Sequence, residues 1–94
     1  YGAALKEAIA AYAGVAPDEV ATGAGSDGVI DCAFRAFAEV GGRVAYPAPT
    51  FSMVPVYARA NGMEPVPVPL VGDDWAADAD ALLAAVAAIT YLCK

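Results

Sequence analysis

The chain has 94 residues, which suits one small domain at most, and 60% of them are hydrophobic. No uninterrupted run of about 18 apolar residues occurs, so a membrane span is not supported. A net charge of −6 with five scattered basic residues leaves no basic patch for nucleic acid, and the absence of histidine excludes Ser-His and Cys-His nucleophile pairs and histidine metal sites.

The two cysteines, Cys32 and Cys93, lie far apart and form no CxxC motif. We expect reduced, buried thiols rather than a disulfide or a metal site, in keeping with a cytosolic setting. No signal peptide precedes Tyr1, and the chain stops at Lys94 inside a predicted strand. We therefore expect the sequence to be truncated at both ends and residues 1–94 to be part of a larger domain.

The first third of the chain predicts two helices around a glycine turn. Apolar residues spaced by three and four predict a helix over Ala3–Ala13, which Gly14 caps. A turn at residues 17–19 leads into a short predicted strand, residues 20–22. The second helix begins near Asp27, with Ser26 placed to cap it, and ends at Gly41-Gly42.

The middle of the chain predicts strand, helix and strand. Residues 43–46 form a short strand closed by Pro47-Ala48-Pro49, and Thr50 or Ser52 caps a third helix that ends near Gly62. Residues 64–69 alternate proline with other residues. Because amides at alternate positions of a strand point to one side, that side has no donors, and the strand should lie at a sheet edge.

The last third predicts a loop that carries the lone tryptophan, Trp75, and then a helix capped by Asp78 or Asp80. A buried strand over residues 89–93 follows, and Val86 is expected inside the preceding helix. Helices alternating with strands indicate an α/β fold, a three-layer α/β/α arrangement with a mainly parallel sheet.

The glycine-rich turn at residues 23–28 is the candidate functional element. The first N–H groups of a helix lack partners and lie at the positive end of its dipole, so a phosphate fits there without a basic side chain. Gly23, Gly25 and Gly28 satisfy G-x-G-x-x-G, but the next strand ends in Tyr46-Pro47, not in the acid of a dinucleotide site. No lysine follows the glycines, which excludes a Walker loop. A purely structural strand-to-helix connection stays open.

A longer set of segments comes in one order and with one spacing. It comprises Tyr-Ala-Gly-Val at 12–15, Thr-Gly-Ala-Gly-Ser-Asp at 22–27, Arg-Ala-Phe at 35–37, Tyr-Pro-Ala-Pro-Thr-Phe-Ser-Met at 46–53, Asp-Trp at 74–75 and Tyr-Leu-Cys at 91–93. This set resembles the fold-type I pyridoxal-phosphate aminotransferases, and most of all the histidinol-phosphate aminotransferases. The resemblance spans nearly the whole chain, and the ordered set is more specific than any motif within it.

The resemblance implies a cofactor site for pyridoxal 5′-phosphate. Backbone N–H groups of Ser26, Asp27 and Gly28 would bind the cofactor phosphate, and Phe51 would stack on the pyridine ring. The family usually has Asn and Glu where this chain has Ala24 and Gly28, so those side-chain contributions are lost. Without the family pattern, Phe51 reads as the first core residue of the third helix, and both Trp75 and Tyr46 receive structural interpretations.

The resemblance also implies that the parent protein is a cytoplasmic homodimer. It would transfer an amino group between histidinol phosphate, or a related amino acid, and a 2-oxo acid such as 2-oxoglutarate. No catalytic residue and no metal ligand is assigned within residues 1–94, Lys94 included, and the isolated chain is expected to be inactive. The alternatives are another fold-type I member, such as an aromatic aminotransferase or a phosphothreonine decarboxylase, and a non-catalytic α/β phosphate-binding or interaction module.

Overall fold

A computed structural model describes residues 2–93. Tyr1 and Lys94 lie outside the described residues, so the structure does not test the prediction that Lys94 has no catalytic role. The chain divides into two compact units, Tyr1–Cys32 and Ala33–Lys94. Along residues 2–93 no helix is long and apolar enough to cross a lipid bilayer.

The first unit opens with helix α1, Ala3–Ala13, which confirms the predicted bounds. Gly14 adopts a φ of 70°, and its N–H donates to the carbonyl of Ala10, so it closes the helix as expected. A single 3₁₀ turn, Pro17–Glu19, follows. The carboxylate of Glu19 accepts the N–H of Ala16 at 2.8 Å, which fixes the start of this turn.

The strand predicted for residues 20–22 is wrong. Val20 has extended dihedral angles, φ −107° and ψ 121°, but it pairs with no strand among the described residues. Helix α2, Gly25–Phe37, begins before the predicted Asp27, so Ser26 lies inside the first turn and does not cap it. The helix also ends at Phe37, ahead of Gly41-Gly42.

The second unit contains a three-stranded parallel sheet in the order β2-β1-β3. The strands are β1 (Arg43–Ala48), β2 (Glu64–Pro69) and β3 (Ile89–Thr90). Ala45 of β1 lies opposite Val66 on one side and Thr90 on the other. The parallel pairing and the alternating helices confirm the α/β class, and β1 continues through Pro47 to Ala48 instead of closing at Tyr46.

The proline-rich strand β2 is an edge of this sheet, as predicted. The N–H of Glu64 donates to Gly42 at 2.8 Å, and that of Leu70 donates to Ala48 at 3.1 Å. Because amide direction alternates along a strand, the even-numbered residues of β2 donate toward β1. The backbone nitrogens of the three prolines therefore face away from β1, on the open edge, where no donor is needed.

Two helices cover the sheet. Leu82 of α4 (Ala79–Ala84) packs with Ala45 and Val68 in one core cluster. Val44 points to the opposite face because side chains alternate, and it is fully buried, as is Val54 of α3 (Val54–Ala60). α3 contacts both β1 and β2. The second unit thus carries apolar cores on both faces of its sheet.

Helix ends in this unit only partly follow the sequence prediction. Asp78 caps α4, accepting the N–H of Ala81 at 2.9 Å. The expected caps Thr50 and Ser52 are wrong, because α3 starts after Met53 without any side-chain cap. Gly62, with a φ of 73°, ends α3 as predicted.

One prediction of helix extent and two predictions of burial are wrong. Val86 lies beyond α4 with a φ of 47° and is exposed. The segment 89–93 is only partly buried, since β3 is two residues long and Leu92 is exposed. Cys32 and Cys93 are free thiols, as expected, but both are exposed.

Candidate functional site

The glycine turn of the first unit presents free backbone donors. Among the described residues, the N–H groups of Ser26 and Asp27 make no backbone hydrogen bond, which is normal for the first turn of a helix. The N–H of Gly28 donates to the carbonyl of Ala24 at 3.3 Å. Of the three predicted phosphate donors, the N–H groups of Ser26 and Asp27 therefore have no backbone acceptor within residues 2–93. The N–H of Gly28 would have to be shared between a phosphate and the carbonyl of Ala24.

Gly23 is held close against the start of α2. A Cβ built on Gly23 would lie 3.2 Å from the backbone nitrogen of Val29, 3.2 Å from its Cγ2 and 3.3 Å from the carbonyl carbon of Gly28. Two of these three atoms belong to the helix backbone and cannot move aside alone. The turn therefore favours glycine at this position, because any side chain would have to displace the start of α2 by a few tenths of an ångström.

The second unit contains a cleft of about 620 Å³, a volume typical of a small-molecule site. Its lining comes from the last residues of β1 and from the segments that follow the three strands. Because the strands are parallel, these segments meet at the carboxyl edge of the sheet, where open α/β sheets bind ligands. The lining residues are Pro47, Pro49, Thr50, Phe51, Leu70, Trp75, Ala77, Leu92 and Cys93.

Phe51 lies in this cleft, on the turn between β1 and α3. Its carbonyl accepts the N–H of Val54 at 3.1 Å, which fixes the turn. The ring stands outside α3 and remains 36% exposed, so the interpretation of Phe51 as a core residue of the third helix is wrong. An exposed aromatic face in a concave apolar site is suited to stack on a flat ligand ring.

Two further lining residues were not singled out as site residues from the sequence. The hydroxyl oxygen of Thr50 is buried and has no hydrogen-bond partner among the described residues, and a buried hydroxyl without a partner is uncommon. Trp75, given a structural interpretation above, is 69% exposed and lines the same cleft as Phe51. Their only sequence signals were a threonine beside the aromatic residue and the lone tryptophan.

The charge within the cleft is low. The nine lining residues include no acid and no base, and within residues 2–93 no group of Cys, Asp and Glu side chains could hold a metal ion. Burial raises the pKa of the Tyr91 phenol above its ordinary value of 10.0, and the neighbouring Cys93 thiol raises it further by repulsion and by a hydrogen bond. The described lining of the cleft is therefore apolar and carries no acidic or basic side chain.

The predicted site residues fall in different units. Ser26, Asp27 and Gly28 are consecutive in the first unit, and Phe51 belongs to the second. The first unit presents, at a helix N-terminus, amides without a backbone hydrogen bond among the residues that the structure describes, and the second contains an apolar cleft lined by Phe51 and Trp75.

Comparison with known proteins gives consistent relationships. The model of the family "Aminotransferase class I and II" matches residues 1–91. Histidinol-phosphate aminotransferase of Thermoanaerobacter sp. (strain X514) is 40% identical over 79 residues, which are 84% of this chain and 22% of that protein. The protein of the same name from Rhodospirillum rubrum is 42% identical over 89 residues, 95% of this chain and 24% of the relative. The chain thus spans about a quarter of the length of these relatives.

Proposed function

Since the chain belongs to the aminotransferase class I and II family, we propose that it forms the cofactor-binding part of a pyridoxal-phosphate-dependent aminotransferase. The observation that carries this proposal is the cleft at the carboxyl ends of all three parallel strands, with Phe51 in its wall. Pyridoxal phosphate supplies an electron sink for amino-group chemistry when it is bound. The residues of this chain hold and orient it.

In the second unit, Phe51 stacks on the pyridine ring and keeps water from one face of it. The buried Thr50 hydroxyl supports the fit, because a polar substituent of a bound ring that reached it would supply its missing partner. The apolar lining suits the ring itself. This cleft alone, however, contains no charged group to hold a phosphate.

In the first unit, the free N–H groups of Ser26 and Asp27 bind the cofactor phosphate. They point along the positive end of the α2 dipole, and the exposed Ser26 hydroxyl is available as a further donor. Gly28 contributes by sharing the N–H that it donates to Ala24. The absence of side chains at Gly23 and Gly28 leaves the backbone open to close approach.

The residues proposed to bind the cofactor, Ser26, Asp27, Gly28 and Phe51, carry no amine that could bond covalently to its aldehyde. The proposal therefore gives these residues a share in binding only, and residues 1–94 on their own are expected to be inactive. After borohydride reduction of the full-length protein with its cofactor, peptide mapping should find no modification at Lys6 or Lys94. Modification at either lysine would contradict this division of roles.

The finer proposal concerns the substrates. The relatives described above are named for histidinol phosphate, so we propose histidinol phosphate, or a related amino acid, as amino donor and a 2-oxo acid such as 2-oxoglutarate as acceptor. The same proposal places the parent protein in the cytoplasm as a homodimer. Another member of the fold family, such as an aromatic aminotransferase or a phosphothreonine decarboxylase, would prefer a different donor in a direct assay of transamination or decarboxylation.

Binding of pyridoxine 5′-phosphate to the full-length protein tests the cofactor site. This compound carries the ring and the phosphate but no aldehyde, so nonspecific reaction with lysines is avoided. Phe51→Leu should weaken binding about 2- to 12-fold, the loss expected for one aromatic stacking contact. Phe37→Leu is the matched control, because Phe37 is 69% exposed and does not line the cleft.

The comparison of ligands separates the proposal from a non-catalytic phosphate-binding module. Such a module would bind inorganic phosphate as tightly as pyridoxine 5′-phosphate and would be indifferent to Phe51. The proposal requires the ring-bearing ligand to bind more tightly than either inorganic phosphate or unphosphorylated pyridoxine. Equal affinity for all three, or an equal effect of the Phe51 and Phe37 variants, would overturn it.

A further inference from the structure

We propose that Trp75 is a second aromatic wall of the cleft and contacts the flat nitrogen-containing ring of the bound ligand. This inference rests on the proposed function, because it takes the ligand to be the cofactor or the substrate of that site. It adds a binding residue, because the sequence pattern indicated only a structural role for Trp75.

The indole of Trp75 is exposed where a large apolar side chain would ordinarily be covered. It is 69% exposed, and part of it lines the cleft. Leu70 and Ala77, which flank its turn, line the same cleft. Exposed apolar area inside a concavity is typical of a binding surface, since a ligand there removes it from water.

The backbone holds Trp75 in an unusual conformation. Its φ is 55°, in the left-handed region that L side chains rarely adopt. The turn is closed by two hydrogen bonds of 2.9 Å between Val71 and Ala76, and the N–H of Trp75 donates to Gly72 at 3.4 Å. An asparagine or a glycine would suit this position better on backbone grounds alone. Strained residues cluster at functional sites, and of the two non-glycine residues with positive φ in the described part of the chain, Trp75 and Val86, Trp75 is the one that lines the cleft.

The chemistry of indole indicates what ligand group it contacts. Tryptophan has the strongest π face among side chains for cationic and electron-poor rings. The cofactor pyridine is an electron-poor ring, and the imidazole of histidinol phosphate becomes a cationic ring when it is protonated. The shared chemistry is a flat nitrogen-containing ring that is electron-poor or cationic, and the experiment distinguishes the two sources.

The test compares three variants of the full-length protein. Trp75→Gly removes the indole and also relieves the positive φ, so the urea midpoint of unfolding should be unchanged or higher while the ring contact is lost. Trp75→Phe retains a smaller aromatic face. Val86→Gly is the matched control, because Val86 also has a positive φ, 47°, and is exposed but does not line the cleft.

Two ligand arms are measured for each variant. The first is the Kd of pyridoxine 5′-phosphate, and the second is the KM of histidinol phosphate at saturating cofactor, with the KM of the ringless 2-oxo acid as reference. We expect Trp75→Gly to raise either the Kd of pyridoxine 5′-phosphate or the KM of histidinol phosphate about 3- to 10-fold. The same constant should rise less in Trp75→Phe and should not change in Val86→Gly. A rise in Kd identifies the cofactor ring, and a rise confined to the KM of histidinol phosphate identifies the substrate ring.

Failure of the inference is distinguishable from failure of the proposed function. If the unsubstituted protein binds pyridoxine 5′-phosphate and Trp75→Gly changes neither constant, Trp75 is not a ligand contact and only this inference falls. A loss of unfolding midpoint in Trp75→Gly without a change in either constant would assign Trp75 a structural role and overturn it equally. If the unsubstituted protein does not bind the cofactor analogue, both proposals fall.

Discussion

Replacing Gly23 with alanine is expected to destabilise the protein and to weaken phosphate binding together. The added Cβ would lie 3.2 Å from the Val29 nitrogen and 3.3 Å from the Gly28 carbonyl carbon, closer than ordinary contact. Overpacking of this kind costs about 1–3 kcal/mol. The lower entropy of the unfolded alanine chain returns about 0.4–1 kcal/mol, so we expect a net loss of about 1–2 kcal/mol.

Gly28→Ala provides the opposite case for stability. A Cβ on Gly28 would lie 3.4 Å from the Cβ of Ala24, which is ordinary van der Waals contact, and Gly28 is within α2. Alanine in place of glycine in a helix gains about 0.5–1 kcal/mol. The two substitutions make the same chemical change in one turn, but the structure predicts opposite signs.

Urea unfolding followed by far-UV circular dichroism measures both variants. Equal slopes with shifted midpoints would show that stability alone has changed. Gly23→Ala must move the first turn of α2, so its affinity for pyridoxine 5′-phosphate should fall about 10- to 100-fold, as for one lost charge-assisted hydrogen bond. A Gly23→Ala variant as stable as the unsubstituted protein would refute the close approach on which this reasoning depends.

Three further predictions concern the second unit. Leu82→Ala should cost about 2–5 kcal/mol in urea unfolding, whereas Leu83→Ala should cost less than about 0.5 kcal/mol, because Leu82 is buried in the core and Leu83 is 79% exposed. Asp78→Ala should cost about 1 kcal/mol by the same assay, since it removes the α4 cap. The raised pKa of Tyr91 means that the folded state holds its phenolic proton more tightly than the unfolded chain does. Stability should therefore fall as the pH rises above about 10, and Tyr91→Phe should show a smaller fall.

Local features of the fold could be predicted from the sequence. α1 and its glycine cap follow from helical spacing and a single left-handed residue, both of which are encoded within one segment. The edge position of β2 follows from its prolines, because a missing donor excludes a neighbour whatever the rest of the chain does.

Features that depend on distant partners were predicted poorly. Residues 20–22 have strand-like composition and Val20 is extended, but no partner strand lies beside them. Residues 89–93 read as buried because they are apolar, yet only two of them pair with β1. The exposure of Cys32 and Cys93 likewise depends on which distant segments pack over them, and this cannot be predicted from their spacing in the sequence.

The site shows the same division. The glycine turn is continuous in sequence, and its free amides follow from the start of a helix, although the helix begins at Gly25 and not near Asp27. The cleft is assembled from the last residues of β1 and the segments after the three strands. No local pattern links Phe51 to Trp75 or Cys93. The positive φ of Trp75 could not be predicted either, because the residue is not a glycine. Phe51 was predicted as a site residue from the family resemblance, whereas the places of Trp75 and Cys93 in the cleft are seen only in the structure.

Protection of the Cys93 thiol tests the central claim, that the cofactor occupies the cleft. Cys93 is exposed and lines the cleft, and Cys32 is exposed and does not line it, so Cys32 serves as the internal reference. Alkylation of the full-length protein by iodoacetamide is followed by peptide mass spectrometry with and without pyridoxine 5′-phosphate. At ten times the Kd, the rate at Cys93 should fall about 11-fold while that at Cys32 is unchanged. An unchanged rate at Cys93 with saturating ligand would contradict the claim.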